Sequence, residues 1–247
     1  MPTLNEIRSM DAAALRQFVA HDPGSLVEDE ALAILDNAYA TPAICQSVAQ
    51  NQRLSSFYSV RCRLVEHRQT PQAHAVKFVH YLYWTDLVRI SVDVKVPTAV
   101  RRAIETLLLA RVDKLTLGER VAAAKRCSQA LIKIFLFDAD PKVFAALLVN
   151  QRLREDDLVY LAGGDKVSVE QLRLLAADTK WSFRYAIRKA LVLNPLTPRA
   201  IAASQLRFLN ARDLREIHSN PQTSTYLRRC IERLQAPERS SNAAQSE

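Results

Sequence analysis

The stretch YSVRCRLV at residues 58–65 is repeated 127 residues later as YAIRKALV at residues 185–192. The correspondence extends without a gap over residues 53–108 and 180–235, where 19 of 56 positions are identical. A random identity of roughly 6% would give about three or four matches over that length. The sequence therefore predicts an internal duplication at an offset of 127 residues.

Apolar residues recur at helical spacing in both copies. Val60 and Leu64 in the first copy correspond to Ile187 and Leu191 in the second. Spacings of three and four residues place apolar side chains on one face of an α-helix. We expect helices of about 10 to 18 residues, which are too short to be stable alone in water and must stack on their neighbours.

Helix starts are marked by residue types that satisfy free backbone donors. Thr3 to Glu6 and Thr116 to Glu119 have the spacing of capping boxes. Three Thr-Pro pairs predict an N-cap threonine followed by proline at the first helical position, namely Thr41-Pro42, Thr70-Pro71 and Thr197-Pro198. The segment Asn51 to Leu54 is repeated as Asn150 to Leu153 and predicts a short turn between helices.

These patterns predict a single all-α domain. We expect an N-terminal helix and linker at residues 1–27, a helical-repeat domain at 28–236, and a disordered tail at 237–247. Within the domain, residues 28–108 form the first copy, 109–155 form bridging helices, and 156–236 form the second copy. The segment 117–136 is predicted to be the longest helix.

Arginine follows an apolar residue at four related positions, and one turn is rich in proline. The pairs are Val60-Arg61, Val100-Arg101, Ile187-Arg188 and Leu227-Arg228, and the turn is Asn194-Pro195-Leu196-Thr197-Pro198. The pattern over residues 28–235 resembles HEAT-like repeats and the related leucine-rich repeat variant. That resemblance implies an α-solenoid, a curved stack of helix pairs. The other turns depart from the full proline pattern.

Composition limits the classes of function. The chain has only 4 glycines in 247 residues, no Walker loop, and none of the common hydrolase or zinc-protease motifs. Its four cysteines lie far apart, and none precedes Cys45, so an N-terminal iron–sulfur cluster of the kind found in some leucine-rich variant proteins is not expected. We predict no cofactor, no membrane span and a cytoplasmic location.

Arginines at equal positions of the two copies are candidate binding residues. The net charge of +8 makes an acidic partner or nucleic acid plausible. Arg61 and Arg188 are also candidates for a structural ladder, because the resemblance implies pairing of such arginines with aspartates, here Asp86 and Asp213. Adjacent helical residues point about 100° apart, so Arg102 and Arg229 are the better surface candidates.

Aromatic residues provide a second set of candidates. Phe78 and Tyr81 have core spacing, whereas Tyr83, Trp84 and Trp181 are candidates for stacking on a partner. Histidines 67, 74 and 80 lack a common helical face, so no metal site is predicted. Asp86 beside Trp84 is the nearest candidate for base-excision chemistry.

The function favoured by these patterns is a non-enzymatic scaffold. It would present a basic concave surface to a macromolecular partner, a protein before a nucleic acid. The alternative is a nucleic-acid-binding protein, including a DNA glycosylase of the HEAT-like type, which the resemblance admits. The sequence identifies neither catalytic residues nor an oligomeric state.

Overall fold

The computed structural model describes residues 2–22 and 24–236 of the chain. These residues form seventeen α-helices and two short 3₁₀ turns, and they contain no β-strand. The prediction of an all-α protein is therefore confirmed. The predicted disordered tail at 237–247 lies outside the described residues.

The chain divides into two compact units, with the boundary between Leu131 and Ile132. The first unit contains α1 (Leu4–Ser9), α2 (Ala12–His21), α3 (Glu28–Asp36), α4 (Pro42–Gln50), α5 (Tyr58–Glu66), α6 (Gln72–Val79), α7 (Trp84–Ser91), α8 (Thr98–Arg111) and α9 (Leu117–Ala124). The 3₁₀ turns are Leu54–Ser56 and Val112–Lys114.

The boundary falls within α10 (Gln129–Phe135). The second unit continues with α11 (Pro141–Leu148), α12 (Glu155–Gly163), α13 (Val169–Ala177), α14 (Tyr185–Leu193), α15 (Arg199–Leu206), α16 (Ala211–Ser219) and α17 (Thr225–Gln235).

Six helices of the second unit begin 127 residues after six helices of the first. The pairs are α3 and α12, α4 and α13, α5 and α14, α6 and α15, α7 and α16, and α8 and α17. Only the last two pairs differ in length, because α16 is one residue longer than α7 and α17 is three residues shorter than α8. The sequence offset is thus also the offset between helix starts.

Each unit is built from two rows of helices. In the first unit α3 packs between α1 and α5, while α6 packs on α8 in the other row. In the second unit α12 packs on α14, and α15 packs on α17. Because helices this short have little stability alone, the apolar contact between neighbours holds each row. Around α15 to α17 the core consists of Val192, Ala202, Leu206, Leu209, Leu214, Ile217, Leu227 and Ile231.

The predicted helix caps are partly confirmed. Thr3 with Glu6, and Thr116 with Glu119, form the reciprocal hydrogen bonds of capping boxes. Pro42 is at the first position of α4, as expected. The prediction was wrong by one residue at α6 and α15, where Pro71 and Pro198 themselves occupy the N-cap position in extended backbone.

The expected long helix at 117–136 was wrong. The chain forms α9 and α10 there, separated at residues 125–128, and the longest helix is α8 with 14 residues. Cys127 and Ser128 between them are both buried. Serine is disfavoured in helix interiors. The buried Ser128 Oγ has no hydrogen-bond partner among the described residues, so no side-chain cap from Ser128 accounts for the start of α10.

Turns between helices share one side-chain hydrogen bond. A side-chain acceptor just after the helix binds the backbone N–H two residues on, which closes an Asx-type turn. The acceptors are Asn37, Asn51, Asp93, Asn150, Asp178, Asn194 and Asn220, and His67 Nδ1 has the same role. The turns predicted at Asn51, Asn150 and Asn194 are confirmed.

Two buried asparagines also tie a turn to earlier chain. Asn37 Nδ2 donates to the carbonyl oxygens of Ile7 and Met10, at 2.8 and 3.0 Å. Asn194 Nδ2 donates in the same way to Ala162 and Gly164. Buried amides need such partners, so these bonds fix the turn against the preceding helix of the same row. Over the described ranges, no helix is long and apolar enough to cross a bilayer.

Candidate functional site

A row of alternating charges crosses one face of the first unit. It links α1, α3, α5 and α7 through partly exposed side chains. The chain of ion pairs runs Arg8, Asp36, Arg63, Glu66, Arg89, Asp86. Arg8 Nε lies 3.6 Å from Asp36, and Arg89 Nη2 lies 3.0 Å from Asp86. We call this set the charge ladder.

The corresponding face of the second unit lacks the middle of that ladder. At the offset of 127, Asp36 corresponds to Gly163, Arg63 to Ala190, and Glu66 to Leu193. Three charged side chains are thus replaced by two very small residues and one leucine. A depression of about 690 Å³ occupies the space between α12 and α14. Its lining includes Val159, Gly163, Gly164, Ala186, Ala190, Leu193 and Leu196.

A second depression, of about 420 Å³, lies on the other side of α12 and is lined by Phe137 and Tyr160, among others. The Phe137 ring meets Tyr160 edge-on, with centroids 6.1 Å apart, and Tyr160 is 72% exposed. The first unit has Ala33 at the position of Tyr160. We call the two depressions together the α12 groove.

Exposed apolar side chains concentrate along the α12 groove. Phe137, Tyr160, Leu193 and Leu196 are between 38% and 72% exposed. Exposed apolar side chains thus lie at both depressions, and grouped apolar surface typically marks an interaction site, whereas single exposed apolar residues do not. Gly163 adds room, because a Cβ placed on it would meet no atom within 4 Å.

The charges of the α12 groove are more acidic than the chain as a whole. Its lining includes the carboxylates Asp156, Asp157 and Asp165 and the amines Lys133 and Lys189. Lys189 Nζ is already paired with Asp213 and Glu216, at 3.0 and 3.1 Å, and these partners raise the pKa of Lys189. The basic surface expected from the net charge is therefore not located in this groove.

A tyrosine and an aspartate connect neighbouring helices identically in both units. Tyr58 donates its hydroxyl hydrogen to Asp86, and Tyr185 donates to Asp213. The same two hydroxyl oxygens accept the backbone N–H of Tyr83 and of Asn210, each at 3.2 Å. Each tyrosine thus holds the N-terminus of the next helix in its row. We call this arrangement the tyrosine clamp.

The electrostatics of the tyrosine clamp follow from burial and hydrogen bonding. Burial, and then the bond to Asp86, raise the pKa of Tyr58 well above its usual value. The hydrogen bond from Tyr185, and then that from Lys189, lower the pKa of Asp213. In the first unit Asp86 accepts from Tyr58 and Arg89. Asp86, the candidate for base-excision chemistry, is thus engaged on both oxygens by structural partners.

The predicted arginine ladder has different partners from those expected. Arg61 and Arg188 do not pair with Asp86 and Asp213, since the tyrosines occupy those carboxylates. The Nε of Arg61 donates to the carbonyl of Ser55, and the Nε of Arg188 donates to that of Ser182. Both arginines thus join neighbouring chain segments, but their partners are serine carbonyls and not the predicted aspartates.

The second arginines of the pairs are exposed. Arg102 and Arg229 are surface residues, which confirms their predicted placement. Arg101 and Arg228 instead donate to backbone carbonyls, of Val96 and Asn220, at 3.1 and 2.9 Å. The binding role of Arg102 and Arg229 stays a prediction.

The aromatic candidates separate into surface and core. Tyr83 is 67% exposed and stacks on Tyr58 with centroids 4.6 Å apart, and Trp84 beside it is partly buried. Trp181 is 4% exposed and its indole N–H donates to Leu148 O at 3.0 Å, so this ring packs inside its unit rather than on a binding surface. Phe78 is buried as predicted, but Tyr81 is 55% exposed and was wrongly assigned to the core.

The thiols of the buried Cys45 and the partly buried Cys62 are poor nucleophiles. Burial raises the pKa of Cys45 to about 11, and burial together with Glu66 raises that of Cys62 to about 12. Reactive cysteines need a lowered pKa, because the thiolate is the attacking species. In the part of the chain that the structure describes, no group of three His, Cys, Asp or Glu residues is placed to hold a metal ion.

Comparisons with protein-family models, with curated proteins and with solved structures gave no match to this chain. The candidate site is therefore argued from its geometry alone.

The α12 groove was missed by reasoning from the sequence. That reasoning followed positions that are identical at the offset of 127, whereas the groove arises where such positions differ. The signal was present in the pairs Asp36/Gly163, Arg63/Ala190 and Glu66/Leu193, which lose charge and volume together.

Proposed function

We propose that this chain is a duplicated α-solenoid of the HEAT-like type that serves as a binding scaffold. The six helix pairs at a constant offset and the repeated tyrosine clamp support the duplication. Stacking of short helices in rows supports the repeat architecture. Such folds leave outward positions free to vary, so one copy can acquire a site that the other lacks.

The scaffold function is located in the α12 groove, which binds a short helical segment of a partner protein. The observation that carries this proposal is the loss of the charge ladder between α12 and α14. Charged side chains cover this face in the first unit, whereas the second unit presents apolar surface to solvent. Full burial of a large apolar side chain contributes roughly 1.5–3 kcal/mol, so contact with a partner would be favourable.

The partner segment is an amphipathic helix with basic flanking residues. Two adjacent helices of a row leave a channel between them, and an apolar helix face fits such a channel through anchors at i, i+3 and i+4. Val159, Leu193 and Leu196 line this channel and supply the apolar contacts for those anchors. Asp156 and Asp165 on the rim favour lysine or arginine beside the apolar anchors.

The test introduces three residues of the charge ladder into the second unit. The variant Gly163→Asp/Ala190→Arg/Leu193→Glu restores the three side chains that the same backbone accommodates at residues 36, 63 and 66. Displayed 16-residue peptides would first be selected on the wild-type protein. The best peptide, labelled, would then be titrated by fluorescence anisotropy. We expect the variant to bind it at least about 30-fold more weakly, equivalent to about 2 kcal/mol.

The control is Arg102→Ala/Arg229→Ala, which removes two exposed cations that do not line the α12 groove. It should bind the peptide like the wild type, and circular dichroism should show both variants folded. Undiminished binding by the ladder variant, or selection of peptides without apolar residues, would reject the proposal. Loss of binding in the arginine variant alone would place the site at Arg102 and Arg229 instead.

A further inference from the structure

Exposed phenylalanine and arginine side chains are stacked on the turns that enter α14 and α16. Arg188 Cζ lies 3.8 Å from the centroid of Phe208 and 5.6 Å from that of Phe183. Arg207 Cζ lies 4.9 Å from the centroid of Phe208. Phe183 is 70% exposed and Phe208 is 42% exposed. The α12 groove contains none of these residues.

The first unit has only part of this arrangement. Arg61 lies over Tyr81, as Arg188 lies over Phe208, with a distance of 4.9 Å to the ring centroid. Both arginines also bind a serine carbonyl, so this contact has a shared structural role. In the second unit Phe183, Arg184 and Arg207 replace Ser56, Phe57 and His80. The number of rings is unchanged, but the partly buried Phe57 gives way to the exposed Phe183, and two arginines are added. The added cations thus exceed what the shared contact requires.

Cations outnumber anions on these turns. Lys180, Arg184, Arg207 and Arg212 are exposed, and Lys180 Nζ lies 4.2 Å from the centroid of Trp181. Among the neighbouring carboxylates, Glu155 is 4.0 Å from Arg184, Asp178 accepts backbone N–H groups, and Asp213 is buried under Tyr185 and Lys189. The excess positive charge therefore faces solvent. We call the set Lys180, Phe183, Arg184, Arg188, Arg207 and Phe208 the Arg–Phe edge.

We propose that the Arg–Phe edge binds single-stranded nucleic acid. Phe183 is 70% exposed and offers a face on which an unpaired base stacks, and the surrounding cations attract the phosphates. Arg188 and Arg207 lie over Phe208, which positions these cations. A duplex keeps its bases paired and stacked on each other, so its bases cannot reach the Phe183 ring. An acidic peptide would satisfy the charges but has no base to stack on Phe183.

The test uses a fluorescently labelled 12-nucleotide single strand of mixed sequence, as RNA and as DNA, with the full-length protein. Anisotropy at 50 mM salt should give saturable binding that weakens steeply by 200 mM salt. We expect Phe183→Ala/Phe208→Ala to weaken binding by roughly tenfold or more, because each base that stacks on an aromatic ring adds to the binding free energy. Arg207→Ala should weaken it and reduce the slope of log affinity against log salt by about one.

Matched controls use the same kinds of residue elsewhere. Tyr39→Ala removes one exposed ring of the first unit, and Arg16→Ala removes one exposed cation of α2. Both should bind the oligonucleotide like the wild type. The proposal is overturned if the single strand fails to bind at 50 mM salt, or if the phenylalanine variant binds as tightly as the wild type. Equal competition by poly-aspartate at the same charge concentration would also overturn it, because that polymer has no bases.

Discussion

The α3–α5 face of the first unit and the α12–α14 face of the second unit have the same helix register and opposite surface chemistry. On the first, charged side chains bridge the helices and cover the channel between them. On the second, glycine, alanine and leucine occupy those positions and the channel is open. The helices thus keep the same register although the side chains exposed on the two faces differ.

The positions that the two faces share are those that hold the helices together. Leu64 and Leu191 are fully buried, and both units have the tyrosine clamp. Burial of apolar surface and satisfaction of buried polar groups limit what such positions accept. Exposed positions such as Asp36 and Gly163 have no such limit. The comparison therefore separates residues that specify the fold from residues available for binding.

Removing the tyrosine clamp tests whether the shared part of the two units is stabilising. We expect Tyr58→Phe to lower the free energy of unfolding by about 1–3 kcal/mol, because the charged Asp86 carboxylate loses the hydrogen bond that the Tyr58 hydroxyl donates to it. Tyr185→Phe should lower the free energy of unfolding too, because Asp213 loses the corresponding hydrogen bond. Circular dichroism during urea titration measures both.

A suitable control is Tyr39→Phe, since the exposed Tyr39 hydroxyl makes no contact of this kind among the described residues. If either clamp variant were as stable as the wild type, the clamp would not be a shared structural element of the two units.

Substitution of Gly163 tests how much the glycine on the open α12–α14 face lowers the free energy of unfolding. Gly163→Ala should raise the free energy of unfolding by a few tenths to about 1 kcal/mol, because alanine is the better helix former and its Cβ meets free space. Gly164→Ala should give no comparable gain, since its Cβ would lie 3.4 Å from two backbone oxygens. Thermal denaturation compares the two variants. An unstable Gly163→Ala protein would mean that the glycine is required by the fold and not retained for space.

The smallest expected effect concerns the turn acceptors His67 and Asn194, which are equivalent at the offset of 127. Burial, and then the nearby Arg63, lower the pKa of His67 below its usual value of 6.5. The unfolded chain therefore binds the proton more readily, and stability contributed by neutral His67 is lost as pH falls below about 6.5.

The variant His67→Asn should remove part of the loss of stability between pH 7.5 and pH 5. Asparagine keeps the acceptor for the Gln69 N–H, as Asn194 does for Leu196, and does not titrate in this range. Urea denaturation at the two pH values gives the difference. An unchanged pH dependence in the variant would assign the effect to another group.

Much of the fold was readable from the sequence because its signals are local. Apolar spacing, the capping boxes at Thr3 and Thr116, and the turn at Asn194 each depend on a few neighbouring residues. The interruption between α9 and α10 was not foreseen, since the apolar spacing continues through it and only the buried Cys127 and Ser128 indicate the break.

The candidate site was less accessible to sequence reasoning because it depends on contacts between helices. Neither Gly163 nor Ala190 carries a chemical signature of its own, and their meaning comes from lying opposite each other across a channel. Trp181 was predicted to stack on a partner because of its residue type. Its ring is instead buried, and its indole N–H donates to the carbonyl of Leu148. Exposure, which separates Tyr83 from Trp181, is decided by tertiary packing.

The two tryptophans of the chain lie in different units, Trp84 in the first and Trp181 in the second. Their surroundings differ, because Trp181 is enclosed while Trp84 is partly open to water. Intrinsic fluorescence therefore contains a separate optical reporter for each half of the protein. Replacing one indole by phenylalanine leaves the emission of the other to follow its own half through melting, without any attached dye.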